Sequence, residues 1–224
     1  MRAALYWAPA TSDPLWTLGS AWLGRDAETG AACAQPALPG IAELTAAPRR
    51  YGFHATLRPP MQLATGWDEF REAAAAIARA TRPFALPPLE IAELYGFLAL
   101  REAAPCAGLQ ALADRCVELT NRHRLKPAPD ELQRRRGAGL SARQEAMLQT
   151  WGYPYVMQEW FFHMTLTRRL APHERGAVRA CAEAHFAAAL NMPRVVNSIC
   201  IFTQTTSDFL IAERYYFHAG SAVD

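Results

Sequence analysis

Tyr51-Gly52-Phe53-His54-Ala55-Thr56-Leu57 and Trp160-Phe161-Phe162-His163-Met164-Thr165-Leu166 are two versions of one stretch. Each ends in His-x-Thr-Leu behind an aromatic run. On a strand, alternate side chains face opposite ways, so His54 and Thr56 share one face while Ala55 and Leu57 share the other. His163 and Thr165 divide in the same way from Met164 and Leu166. Each copy thus offers an imidazole and a hydroxyl to a common face and an apolar pair to a core. Composition predicts roughly 0.04 occurrences of this pattern, so two arise by chance on the order of once in a thousand chains. The plainer alternative is a pair of half-buried strands that each happen to carry a histidine.

Outward from the motifs, the pattern predicts the same order of elements twice. A motif strand, a helix at about 67–81 and strands at about 84–93 and 95–101 follow His54. A motif strand, a helix at about 171–189 and strands at about 193–203 and 208–218 follow His163. The prolines of Arg58-Pro59-Pro60 are expected to end the first motif strand. The histidines lie 163 − 54 = 109 residues apart in 224, which points to an internal duplication of architecture. Ahead of it, residues 3–8 read as a strand. Asp13-Pro14 reads as a helix start and Gly24 as its stop. Residues 25–48 read as mostly irregular, with at most a turn of helix near 39–45. A helix at about 106–123 leads to an inserted element at about 124–150, broken by Pro127 and Pro129. There Ser141 caps a helix, and a strand or bend at about 154–159 precedes the second motif. The expected fold is α+β and bilobed, with pseudo-two-fold symmetry. Two mostly antiparallel sheets carry helices outside and a cleft between, with motif lobes at about 50–123 and 154–218 in one domain of residues 1–224.

Composition narrows the function. An apolar content of 51% supports a large core, and a formal charge of +2 argues against a strongly basic nucleic-acid binder. Of 23 basic residues only Lys126 is a lysine, flanked by Leu125 and Pro127 in no nucleotidyl-transfer motif. Five cysteines without a Cys-x-x-Cys pair disfavour a disulfide framework or thiolate zinc site, so a reduced cytoplasmic protein is the expectation. The N-terminal apolar run is too short, and too interrupted by proline, for a signal peptide. No apolar run reaches membrane-spanning length. His123 reads as a helix-end cation, His173 and His185 as helix residues and His218 as terminal. None forms His-x-His or His-Glu-x-x-His, so no metal and no cofactor are expected. The Arg134–Arg136 run reads as a solvated insert rather than an RNA arm, or else as a lid touching a terminal phosphate.

Two His-x-Thr-Leu motifs, one per half, resemble the 2H phosphoesterase superfamily, which includes RNA 2′,3′-cyclic phosphodiesterases and 2′–5′ RNA ligase-like proteins. Trp22-Leu23-Gly24-Arg25-Asp26, Arg50 through Pro60 and Phe162 through Thr167 look like its bacterial DUF1045 branch, which is associated with phosphonate-utilisation operons. Arg58 departs from that pattern, standing where the branch has lysine and offering a planar fork in place of a point donor. The resemblance implies paired lobes with one catalytic histidine each, His54 and His163, and a metal-independent cyclic phosphodiesterase. Thr56 and Thr165 would hold the phosphate oxygens. Arg58 shares their parity and is expected to touch phosphate or substrate. Thr167 has the matching parity in the second half. Tyr6 borders the cleft or packs in the core, and Tyr51, at an odd offset, is core or flank. His163 is taken as base and His54 as acid, although the sequence leaves the order open. The implied substrate is a small cyclic sugar phosphate, 5-phosphoribosyl 1,2-cyclic phosphate first. RNA or nucleoside 2′,3′-cyclic phosphate is the alternative, and a noncatalytic nucleotide-binding module the rival from another class. A monomer with no membrane partner is expected.

Overall fold

After each motif histidine the chain lays down one series of elements. In the computed structural model, which describes residues 1–137, 139–204 and 207–218, β1 (Arg2–Trp7) and α1 (Pro14–Leu23) come first. Asp13 caps α1 by accepting from the Leu15 N–H at 2.8 Å, and Gly24 ends it in the left-handed region at φ 77°. Two single turns follow, α2 (Ile41–Leu44) and α3 (Ala46–Arg49). The first series is then β2 (Ala55–Gln62), α4 (Trp67–Arg79), the short β3 (Phe84–Leu86), and a hairpin of β4 (Leu89–Leu94) and β5 (Phe97–Glu102). Next come α5 (Ala107–Thr120) and the inserted helices α6 (Pro129–Arg136) and α7 (Ala142–Trp151). The second series is β6 (Met164–Thr165), α8 (Arg175–Leu190), the short β7 (Arg194–Val196), and a hairpin of β8 (Ser198–Gln204) and β9 (Phe209–Tyr216). The repeated unit is therefore strand, helix, short strand and hairpin, one strand more than the sequence pattern suggests. Pro87-Pro88 and Asn197 divide what read as single strands.

The sheets interleave the halves. One runs β2-β1-β8-β9 and the other β4-β5-β6, both antiparallel. Each takes its motif strand from one half and its hairpin from the other, so the lobes are not the contiguous stretches 50–123 and 154–218. The equivalent strands β3 and β7 pair antiparallel, Phe84 opposite Val196 and Leu86 opposite Arg194, which is what a two-fold axis passing between them produces. Helices α4 and α5 pack on the four-stranded sheet, and α8, backed by α1, packs on the three-stranded one. The α4 face formed by Phe70, Ala74 and Ile77 is fully buried, as its helical spacing predicts. Burying a Phe or Ile side chain in this way contributes about 1.5–3 kcal/mol.

Two local expectations change and one open alternative is resolved. β2 runs through Pro59 and Pro60 to Gln62. It is an edge strand, so the missing N–H groups cost no ladder bond, and its register against β1 slips twice. Tyr6 faces Thr56, Leu5 faces Arg58 and Ala3 faces Met61, so bulges fall near Leu57 and at the prolines. Of the strand or bend expected at 154–159 the structure has the bend, at 154–156, followed by a 3₁₀ turn (Met157–Glu159). His173 lies in a turn ahead of α8, outside the helix. The Tyr95-Gly96 turn is as expected. Both residues have positive φ, 50° and 89°, the backbone that a tight two-residue hairpin turn demands.

Candidate active site

Both motif strands are edges, and the two edges meet. β2 and β6 approach within 8 Å at Cα, and the Trp160 Nε1–H donates to the Thr56 carbonyl at 2.8 Å, tying one motif to the other. Each histidine sits one residue ahead of its strand, where the backbone is free to turn. Nδ1 of His54 lies 2.9 Å from the Gly52 carbonyl, and Nδ1 of His163 lies 3.2 Å from the Phe161 carbonyl. The contact is the same in both halves: ring nitrogen to the carbonyl two residues back. A carbonyl can only accept, so it selects the Nδ1–H tautomer and leaves Nε2 to do chemistry. On the His54 side, Nε2 already faces the Thr56 hydroxyl at 3.1 Å.

The floor is aromatic. Tyr6 stacks on the His54 ring at 3.7 Å and 18°, and Phe202 closes against the ring at 5.9 Å. Phe161 and Phe97 flank His163 at 4.8 and 6.1 Å. Burial pushes His54 down to about 3, against a counter-pull from the Gly52 carbonyl, and a charge on His163 depresses it further. Burial also lowers His163, which its Phe161 contact partly offsets. The Tyr6 phenol is raised well above its usual range by burial and then by neighbouring Tyr51 and Tyr153.

Thr165 points into a cavity of about 200 Å³ that Tyr51, Gly52, His54 and Thr167 also line. His163 is not among its lining residues, though its charge reaches His54. Tyr51 borders this cavity because residues 51–54 are a turn and not a strand, so an offset count does not apply. Thr167 lines it too, but its hydroxyl accepts from the buried Leu98 N–H at 3.0 Å and is committed to structure. Arg58 is a correction. The bulge near Leu57 reverses parity and places it beside Leu5, on the helix-covered face of the sheet. Its guanidinium is 1% exposed, donates to the Trp151 carbonyl at 3.3 Å, and leaves Nε and Nη2 without a partner among the described residues.

Sequence reasoning missed the residues that hold the first motif in place. Arg25 donates to the carbonyls of Arg49, Arg50 and Phe209 at 2.9–3.2 Å, fixing the chain into Tyr51. Gly19 admits the Phe53 ring, since a Cβ there would stand 2.2 Å from it. Gly52 has φ 77° and no room for a Cβ, which would meet the Ala27 Cβ at 2.4 Å. Gly52→Ala should therefore cost about 2–3 kcal/mol through strain and overpacking. It should also lower kcat, because a displaced Gly52 carbonyl turns the His54 ring. Urea unfolding and steady-state rates on one preparation check both.

Two of the remaining histidines are structural. His123 is buried with Nδ1 2.7 Å from the Thr65 hydroxyl, and His185 Nε2 contacts the Leu18 carbonyl at 2.9 Å where α1 meets α8. Among the described residues no group of three or more His, Cys, Asp or Glu is placed to hold a metal ion, and no helix is long and apolar enough to cross a membrane.

A family described as a protein of unknown function (DUF1045) matches residues 56–210, which takes in most of β2 and the whole second motif. The chain belongs to the DUF1045 family. Two curated relatives of this DUF1045 protein are both named ribose 1,5-bisphosphate phosphokinase PhnN. One, from Janthinobacterium sp. (strain Marseille), is 39% identical over 89% of this chain and 47% of the relative. The other, from Laribacter hongkongensis (strain HLHK9), is 38% identical over 91% of this chain and 48% of the relative. The chain thus spans about half the length of the curated relatives it matches. Among solved structures, E. coli LigT complexed with 3′-AMP aligns over 96% of this chain and 97% of its own, at 12% identity and TM-score 0.48. A structure described as a phosphoesterase aligns over 74% of this chain and 76% of its own, at 15% identity and TM-score 0.39.

Proposed function

We propose that this DUF1045 protein is a metal-independent phosphodiesterase that opens the cyclic phosphate of a small phosphorylated sugar with two histidines. The observation that carries the reading is the symmetric pair of imidazoles, each with Nδ1 turned to its own backbone, so that Nε2 is the nitrogen available for proton transfer, on His54 once the Thr56 hydroxyl has moved off it. Water attacks phosphorus while one Nε2 takes its proton. The P–O bond to the departing sugar oxygen breaks as the other imidazolium protonates that oxygen, leaving a phosphate monoester. The hydroxyls of Thr56 and Thr165 supply hydrogen bonds to the non-bridging oxygens, once Thr56 has turned away from His54.

Burial favours the reverse of the order taken from the sequence. With its pKa near 3, His54 is neutral at working pH. Making it the acid would mean charging a ring that burial holds neutral. His54 is therefore assigned as base and His163 as acid, the bound phosphate anion stabilising the imidazolium. The ribose 1,5-bisphosphate in the relatives' name is a pentose with phosphate at both ends, and it supports 5-phosphoribosyl 1,2-cyclic phosphate as the substrate to try first. The phosphokinase in that name belongs to chains about twice as long. With one lysine, between Leu125 and Pro127, this sequence has no Gly-x-x-x-x-Gly-Lys phosphate loop, which supports placing the kinase outside the matched region.

A panel of cyclic phosphates assayed in EDTA tests the reading. Turnover of 5-phosphoribosyl 1,2-cyclic phosphate should be unchanged by the chelator and exceed that of nucleoside 2′,3′-cyclic phosphates, with phosphorus NMR identifying the ester that opens. Preference for the nucleoside series would redirect the substrate to RNA ends. No hydrolysis of any member would end the enzymatic reading.

A further inference from the structure

A second pocket, of about 350 Å³, lies where the inserted α6 passes over the outer end of β1 and β2. Five cations line it, Arg2, Arg124, Lys126, Arg134 and Arg135, against one carboxylate, Glu131, which is paired with Arg135. Among the described residues none of the other four has a carboxylate partner. Arg124 is held in place by the Asn121 side chain at 3.2 Å and the Thr150 carbonyl at 3.4 Å. Just beneath, Arg58 is buried with two unpartnered nitrogens, and the charges of Arg124 and Arg135 bear on it. Lys126 and Arg134 are exposed and the other three half-buried, and gathering five like charges around one pocket costs less when an anion joins them.

Two features place the pocket relative to the active-site cavity, with which it shares no lining residue. Arg2 is four residues from Tyr6 on β1, about 13 Å along the strand. Arg135 shortens the gap from above, its guanidinium lying 4.9 Å over the ring of Tyr153, a residue near enough to Tyr6 to bear on its ionisation.

We infer that this basic pocket binds a second phosphate monoester on the substrate, at the end away from the cyclic ester, and so selects sugar cyclic phosphates that carry a terminal phosphate. The inference rests on the proposed reaction but is measured apart from it. Arg124→Gln and Arg134→Gln, checked for native circular dichroism, are compared with wild type in two ways. In calorimetry with ribose 5-phosphate, which has no cyclic ester, each variant should bind about tenfold or more weakly. In turnover, KM for 5-phosphoribosyl 1,2-cyclic phosphate should rise about tenfold with kcat within twofold, while KM for ribose 1,2-cyclic phosphate stays put. If both variants bind ribose 5-phosphate as wild type does, or both KM values rise together, the second-phosphate site is wrong. If binding weakens as expected but neither cyclic ester is opened, the pocket stands and the proposed reaction falls.

Discussion

His54→Ala and His163→Ala should each lower kcat by about 10²–10⁴-fold while leaving the fold intact, the range that a positioned acid or base contributes. Neither ring makes a hydrogen bond outside its own motif. Both are partly open, and each spends Nδ1 on a carbonyl only two residues away. In the proposed reaction the two groups act in one step, so the double variant should lose little more than the worse single one. The pH profile follows from the same geometry. The base must be neutral, which for free His54 holds above about 3, and the acid protonated, which for free His163 holds only below a pKa that burial has lowered from 6.5. The optimum of kcat/KM should therefore lie on the acid side of pH 6.5. The optimum of kcat should lie higher, because the bound phosphate anion favours the imidazolium. Unchanged rates in either alanine variant, or a kcat/KM that climbs steadily through pH 8, would contradict the two-histidine assignment.

Trp22→Ala should destabilise the protein by about 4 kcal/mol or more, the largest stability effect expected of one substitution here. The indole is fully buried, and its ring tilts against His185 and Phe186 at 5.5 and 5.8 Å. Its Nε1–H donates at 3.0 Å to the carbonyl of Leu166, the last residue of the second motif. Truncation leaves a cavity costing about 3–5 kcal/mol and strips a buried carbonyl of its partner, about 1–3 kcal/mol more. Trp22→Phe keeps most of the volume and should lose only the smaller part. The shift in urea midpoint at constant slope measures both, and a loss below 1 kcal/mol for Trp22→Ala would mean that the indole is not what fixes this strand.

The sequence carried the site further than the sheet. Repetition of His-x-Thr-Leu located both imidazoles because the motif is local, and α1, α4 and the Tyr95-Gly96 turn were readable from cap and turn residues that act within a few positions. Arg58 was misread because a one-residue bulge reverses every later side chain on its strand, and nothing in Leu57-Arg58-Pro59 announces where the extra residue falls. The second motif strand is only two residues long, so its aromatic lead-in, Trp160 to Phe162, is loop rather than strand. The exchange of hairpins between halves was out of reach, since it is set by packing of α4 and α8 across the molecule and by no local pattern. Arg25 stood inside a stretch singled out from the start, but its grip on three carbonyls could not be told from a surface charge.

That exchange has a bearing on how the chain is born. β1 lies in the middle of a sheet whose other inner strand, β8, is synthesised far downstream of it. Until it emerges, the nascent polypeptide presents an unpaired apolar ribbon, and neither repeat can close its own interior. This region cannot mature one half at a time on the ribosome, and it is most exposed just before β8 emerges, when a holdase would matter most.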